Sequence, residues 1–238
     1  MVFFLLSTWE AIIYLRPQEQ LSSIRGFPLL DVVGAATGAV WLMSLWGSRR
    51  WPPAVPQNWL MVLFATSLAL SRLAQFWIGG ALQAFVEFSK TLLLYFVIIT
   101  TLNSERKLNT FLTFWVLLTA SLSIQGIWQH YTGEGFGGQR PFEGRIRGTG
   151  IFNDPNDIAL AMVLAVPFAL DWTLGKSGRV LKSLGLCLLP SFLYAIYLTN
   201  SRGGMLALGA VLLTYFIRSL GYLRGAMVAG AAVTALLI

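Results

Sequence analysis

The chain has 238 residues, of which 56% are hydrophobic and 11% charged, with a formal charge of +7. Soluble domains carry about 25% charged residues, so this composition excludes a water-soluble monomer and makes lipid the natural solvent. The basic residues stand singly or in twos and threes between apolar runs, which argues against a nucleic-acid binder with its continuous basic stripe.

A membrane span needs about 20 mostly apolar residues. In chain order such runs fall at 1–15, 29–47, 59–78, 81–102, 108–130, 156–174, 181–199, 203–220 and 222–238. The first carries Glu10, without a basic leader or a cleavage site. It reads as a shortened first span rather than a signal peptide. The breaks are short and rich in Gly, Pro, Ser and charge, as in Asn103-Ser104-Glu105-Arg106-Lys107. Backbone N–H groups in hydrocarbon must be bonded internally, so spans are helices or barrel strands. These runs are too long and too continuously apolar for strands, which alternate and cross in about 10 residues. The expected fold is therefore all-α: a polytopic transmembrane helical bundle of about nine spans, one domain over 1–238, without an internal repeat. The last run reaches Ile238 with no polar anchor after it, and so reads as a fragment of a longer chain.

Orientation follows from Lys and Arg. The even-numbered breaks hold nine: Arg49, Arg50, Arg106, Lys107, Lys176, Arg179, Lys182, Arg218 and Arg224. The odd-numbered breaks hold six: Arg16, Arg25, Arg140, Arg145, Arg147 and Arg202. The positive-inside rule then puts the N-terminus in the cytoplasm and places the 131–154 loop and Arg202 outside.

Three groups of residues bear on chemistry. The first runs from Arg145 through Arg147, Gly148, Gly150, Asn153 and Asp154 to Asn156 and Asp157, at the mouth of a helix. Asp154 suits an N-cap and Pro155 the first turn. Glycines 148 and 150 allow backbone to approach a ligand, and arginines beside such a turn suit phosphate. A plain helix cap behind a basic loop fits the same residues. The second group is Thr199-Asn200-Ser201-Arg202-Gly203-Gly204. An arginine in so tight a turn has little room to reach bulk water, so it needs an anion, a carbonyl or a wet cavity. Snorkelling to the headgroups is the plainer alternative. The third group is ionisable residues within runs: Glu10, Arg72, Glu87, Lys90 and Asp171. Glu87 and Lys90, three apart, share a helix face and are placed to pair.

His130 is the only histidine, and it reads as a polar helix-end residue more readily than as a base. Tryptophans 41, 46, 51, 59, 77, 115, 128 and 172 lie mostly near run ends, as an aromatic belt does. The single cysteine, Cys187, excludes an internal disulfide. No Cys/His cluster, phosphate loop or dinucleotide fingerprint is present, so no metal or cofactor is expected.

Arg147-x-x-Gly150-x-Phe152-x-x-Pro155-Asn156, a span, and then Leu198-Thr199-Asn200-Ser201-Arg202-Gly203-Gly204 resembles the O-antigen ligase and O-antigen polymerase superfamily. Tyr14-Leu15-Arg16-Pro17-Gln18-Glu19 is also similar to members of that group. The motif-bearing stretch covers about 140–215. The resemblance implies a GT-C-like, metal-independent membrane glycosyltransferase in a bacterial inner membrane. Such an enzyme moves a glycan from undecaprenyl diphosphate to lipid A-core, another glycan or a protein hydroxyl at the periplasmic face. It implies a diphosphate-holding, catalytic role for Arg202. Ser201, Arg147, Arg145, Asn156, Asn153 and Arg72 are the further candidates for contact with diphosphate or glycan. The acceptor-activating histidine of the family lies in a later loop, which His130 does not match. A small-anion transporter and an inactive truncated remnant are the alternative readings.

Overall fold

The computed structural model describes residues 1–48 and 51–237. Arg49 and Arg50 of the orientation count, and the terminal Ile238, lie outside the described residues. The described residues are all-α, with an isolated bridge between Phe142 and Arg145. Each of the nine apolar runs forms a helix. They are α1 (Val2–Leu15), α3 (Leu29–Ser48), α4 (Pro56–Leu73), α5 (Ile78–Thr101), α6 (Glu105–Thr132), α7 (Pro155–Leu174), α8 (Arg179–Leu198), α9 (Arg202–Leu220) and α10 (Tyr222–Leu237). A further short helix, α2 (Pro17–Gln20), follows α1.

Six of these helices are long and apolar enough to cross a membrane: α3, α5, α6, α7, α8 and α9. The chain is thus a membrane protein by its helices, with fewer full-length spans than the runs alone give. With 14 residues, α1 reaches only about 21 Å at ~1.5 Å per residue, against a hydrocarbon core of about 30 Å. Polar Gln57 and Asn58 open α4 and Arg72 sits near its end. The described part of α10 has 16 residues.

The chain divides into two compact units, where the sequence marks no boundary. One comprises residues 1–10 and 28–112, the other residues 11–27 and 113–238. In the first, α5 packs against α3 and α4. Leu6, Val97 and Phe111 are buried together. Small residues admit large partners: a Cβ on Gly38 would lie 2.9 Å from a Leu93 methyl. Lys90 pairs with Asp31 across helices at 2.7 Å, and Glu87 accepts from Gln83 at 2.9 Å. The Glu87–Lys90 pair is therefore not formed. A carboxylate on a neighbouring helix competes for Lys90 and takes it.

The second unit is built on α7, which packs against α8 and α9, while α10 packs on α9. Ile158, Ala159, Met162, Val163, Ala165, Val166 and Ala169 are each no more than 1% exposed. So wide a buried apolar surface belongs inside a bundle, while Leu160 and Leu164 on the remaining face stay exposed. Close approach rests on small residues, as in membrane helix pairs generally. A Cβ on Gly185 of α8 would lie 2.8 Å from the Ala169 carbonyl oxygen of α7. A Cβ on Gly204 of α9 would lie 2.8 Å from the Ala159 methyl. Trp172 is buried in this core, and the Trp115 indole donates to the Tyr14 hydroxyl. Neither serves in a belt. Trp46, Trp51 and Trp59 are well exposed, as belt residues are.

Candidate functional site

The two sequence motifs meet in the second unit. Asp154 caps α7, its carboxylate accepting from the Asn156 N–H at 2.7 Å, with Pro155 in the first turn. Ser201 caps α9, its hydroxyl oxygen accepting from the Gly204 N–H at 3.0 Å. The same hydroxyl donates to the Asn156 side-chain oxygen at 2.7 Å. Arg145 donates from Nη2 to that oxygen at 3.1 Å and from Nε to the Thr199 carbonyl at 2.7 Å. One amide oxygen therefore ties together the loop before α7, the start of α7 and the start of α9. Asn200 takes up the αL conformation in the intervening turn, at φ 51°, which asparagine tolerates better than most residues.

The consequence is electrostatic. Two helix N-termini, each with N–H groups lacking intrahelical acceptors and each the positive end of a dipole, open beside one another. Arg202 is the first residue of α9 and its side chain is exposed. Among the described residues its guanidinium has no hydrogen-bond or ion-pair partner. The tightness of the turn does not enclose it, because the first helical position projects outward from the joint.

The three arginines differ sharply. Arg145 is half-buried, with two donors committed within the protein. Arg147 donates from Nε to the Arg140 carbonyl at 2.8 Å, and its guanidinium lies 5.9 Å from the Phe142 ring centroid. Its N–H donates to the Gln129 side-chain oxygen at 2.8 Å. Arg202 alone of the three has its whole donor set uncommitted. Ser201, 1% exposed, shapes the joint and presents little surface to a ligand.

No protein-family model, curated protein or solved structure matches this chain.

The other residues singled out by sequence make no contact within the joint's hydrogen-bond set. Arg72 belongs to the first unit, where its guanidinium lies 5.5 Å from the Trp77 ring centroid. His130 is exposed at the end of α6, its ring 5.1 Å from that of Tyr131. Asn153 is exposed and lines a separate open pocket of about 410 Å³ in the second unit. Glu19, Gly137, Gly138, Gln139 and Thr149 contribute to the same wall.

Arg16, quoted in sequence only for orientation and resemblance, and Gln129 have structural roles that the sequence does not assign. Arg16 has φ 46° and ψ 52°, a left-handed conformation costly for a residue with a Cβ. Its Nη1 donates to Glu19 Oε1 at 3.1 Å, while its buried Nε has no partner. The guanidinium lies against Gly150, whose φ of +59° and bare α-carbon leave room for it. Gln129, fully buried, donates to the Gln139 carbonyl at 3.0 Å and so holds both ends of the 139–147 loop. An arginine just before a proline at the end of an apolar run was the available signal for Arg16. For Gln129 it was a glutamine one turn after Gln125 near the end of α6.

Proposed function

We propose that the chain takes part in transferring a glycan from an undecaprenyl diphosphate carrier to an acceptor hydroxyl at the periplasmic face of a bacterial inner membrane. The observation that carries this reading is the unpartnered Arg202 guanidinium beside two converging helix N-termini. A diphosphate leaving group needs its growing negative charge stabilised. Planar guanidinium, with five donors, matches phosphate oxygens in pairs. Helix N-termini add N–H donors and dipole without needing a metal. The motif resemblance over about 140–215 assigns the same role to Arg202. Arg147 has free guanidinium donors to add, and Arg145, Asn156 and Ser201 hold the site in shape. In this reading the fold is of the GT-C-like class, all nine helices engage the bilayer, and the N-terminus is cytoplasmic.

Reconstituted vesicles test the reading. Labelled undecaprenyl-diphosphate-linked sugar should be retained by the protein, and labelled phosphate or bicarbonate should not be taken up above empty vesicles. Anion uptake without lipid-diphosphate binding would reject glycan transfer in favour of transport.

A further inference from the structure

The pocket bounded by Glu19, Gln139, Thr149 and Asn153 is distinct in chemistry from the arginine-bearing joint. At about 410 Å³ it falls within the ~300–1,000 Å³ usual for small-ligand sites. Its wall is polar side chains and glycines, with no large apolar side chain among the lining residues. That excludes an acyl or prenyl chain. Its charge is balanced, because Glu19 on the wall is paired with Arg16 behind Gly150. A polyanion has no net positive charge to meet there. Among the described residues no cluster of three metal-ligating side chains occurs.

What the wall does offer is unspent hydrogen-bonding capacity of both kinds. The Thr149 residue is 8% exposed, and its hydroxyl has no partner among the described residues. The Asn153 amide and the second oxygen of Glu19 are likewise uncommitted. The N–H groups of Thr149 and Gly150 donate to nothing among the described residues. These groups have no protein partner to give up, so an occupant can bond them directly in place of water. Mixed donors and acceptors on bare glycine backbone, around a neutral cavity, fit a neutral molecule carrying many hydroxyls. We infer that this pocket is a binding subsite for neutral sugar units, with Glu19, Thr149 and Asn153 reading their hydroxyl groups. It deepens the glycan-transfer reading and rests on that reading for the source of the sugar.

Saturation-transfer NMR tests the subsite directly. The protein is held in lipid nanodiscs, free of glycoside detergent. The probes are methyl β-glucopyranoside, N-acetylglucosamine and, as the charged counterpart, glucuronate. The two neutral sugars should receive saturation, and glucuronate less, because a wall of balanced charge does not repay the hydration its carboxylate loses. Asn153→Trp, an exposed backbone-neutral position, should fill the mouth and abolish the signal. Thr149→Val, nearly isosteric, should weaken binding about fivefold, the loss of one hydrogen bond. A second arm uses undecaprenyl-diphosphate-linked N-acetylglucosamine as competitor. Displacement of the free sugar marks the donor glycan as occupant; no displacement marks the acceptor or a free sugar. No saturation of either neutral sugar, or a signal unchanged in both variants, would overturn the subsite. Arg202→Ala separates the two ideas. Lost lipid-diphosphate binding with intact sugar saturation supports both sites. Intact lipid-diphosphate binding with saturation that depends on Thr149 removes the first reading and leaves the second.

Discussion

Asn156 spends one amide oxygen on two donors, the Ser201 hydroxyl and Arg145 Nη2. Removing that oxygen strands both. Asn156→Ala should lower stability by about 1–3 kcal/mol, read as a fall in the thermal midpoint in detergent. Asn156→Asp, which keeps an acceptor, should fall less. Arg145 is a related case. A lysine has one point of donation and cannot follow the planar fork that reaches both Thr199 and Asn156. Arg145→Lys should therefore destabilise by about 1–2 kcal/mol. An unchanged midpoint in both Asn156→Ala and Arg145→Lys would show that the joint is not what fixes the two helix starts. None of these bonds was legible in the sequence. Residues 145, 156 and 201 announce polarity, and only the packing of α9 on α7 makes them partners. The Asp154-Pro155 cap was legible, because it acts within a single turn of its own helix, whereas Ser201, expected to contact a ligand, instead caps α9. Lys90 teaches the complementary point. The three-residue spacing offers Glu87, but Asp31 on another helix is met first.

At the scale of elements, the helices follow from apolar runs, with the largest boundary difference at the 59–78 run, where the helix is Pro56–Leu73 and Ile78 already starts the next. Their depth in the bundle was not legible. Runs at 156–174 and 203–220 look alike in sequence, yet α7 is buried along most of its surface, leaving Leu160 and Leu164 exposed, and α9 is buried at few positions. What separates them in three dimensions is which helix lies between others, and composition carries that weakly when lipid is as apolar as the core. Small residues are the better signal. Gly185 faces Ala169 and Thr173, and Gly204 faces Ala159. A leucine at Gly185 would need space that backbone of α7 already fills. Gly185→Leu should cost at least about 1–3 kcal/mol by overpacking. Gly178, which has open space around it, serves as the control: Gly178→Ala should leave the thermal midpoint unchanged. Equal midpoints for Gly185→Leu and wild type would mean that α7 and α8 do not approach as described.

For the whole molecule, α7 is long and apolar enough to cross a bilayer, and a single crossing puts the 139–153 loop and the Lys176–Arg179 turn on opposite sides. The native Cys187 is first changed to alanine, leaving a chain without cysteine. Single cysteines at Asn153 and Lys176 should then react with a membrane-impermeant maleimide from opposite sides in oriented vesicles. Labelling from one side would remove α7 as a span. The division into two units was invisible to a linear reading, because residues 1–10 and 11–27 belong to different units while lying in one continuous stretch. Apolar content reports burial or lipid contact, and gives no account of which helices share a core. The pocket beside Glu19 was hidden for the same reason: it assembles residues 19 and 137–153, far apart along the chain.

One titration tests directly whether Arg202 holds a lipid diphosphate. Purified protein is titrated with undecaprenyl diphosphate and, separately, with undecaprenol, which lacks the phosphates. Arg202→Ala should weaken diphosphate binding at least about tenfold, the loss of charge-assisted hydrogen bonds, and leave undecaprenol binding as it was. Equal diphosphate affinity in wild type and Arg202→Ala would contradict the assignment.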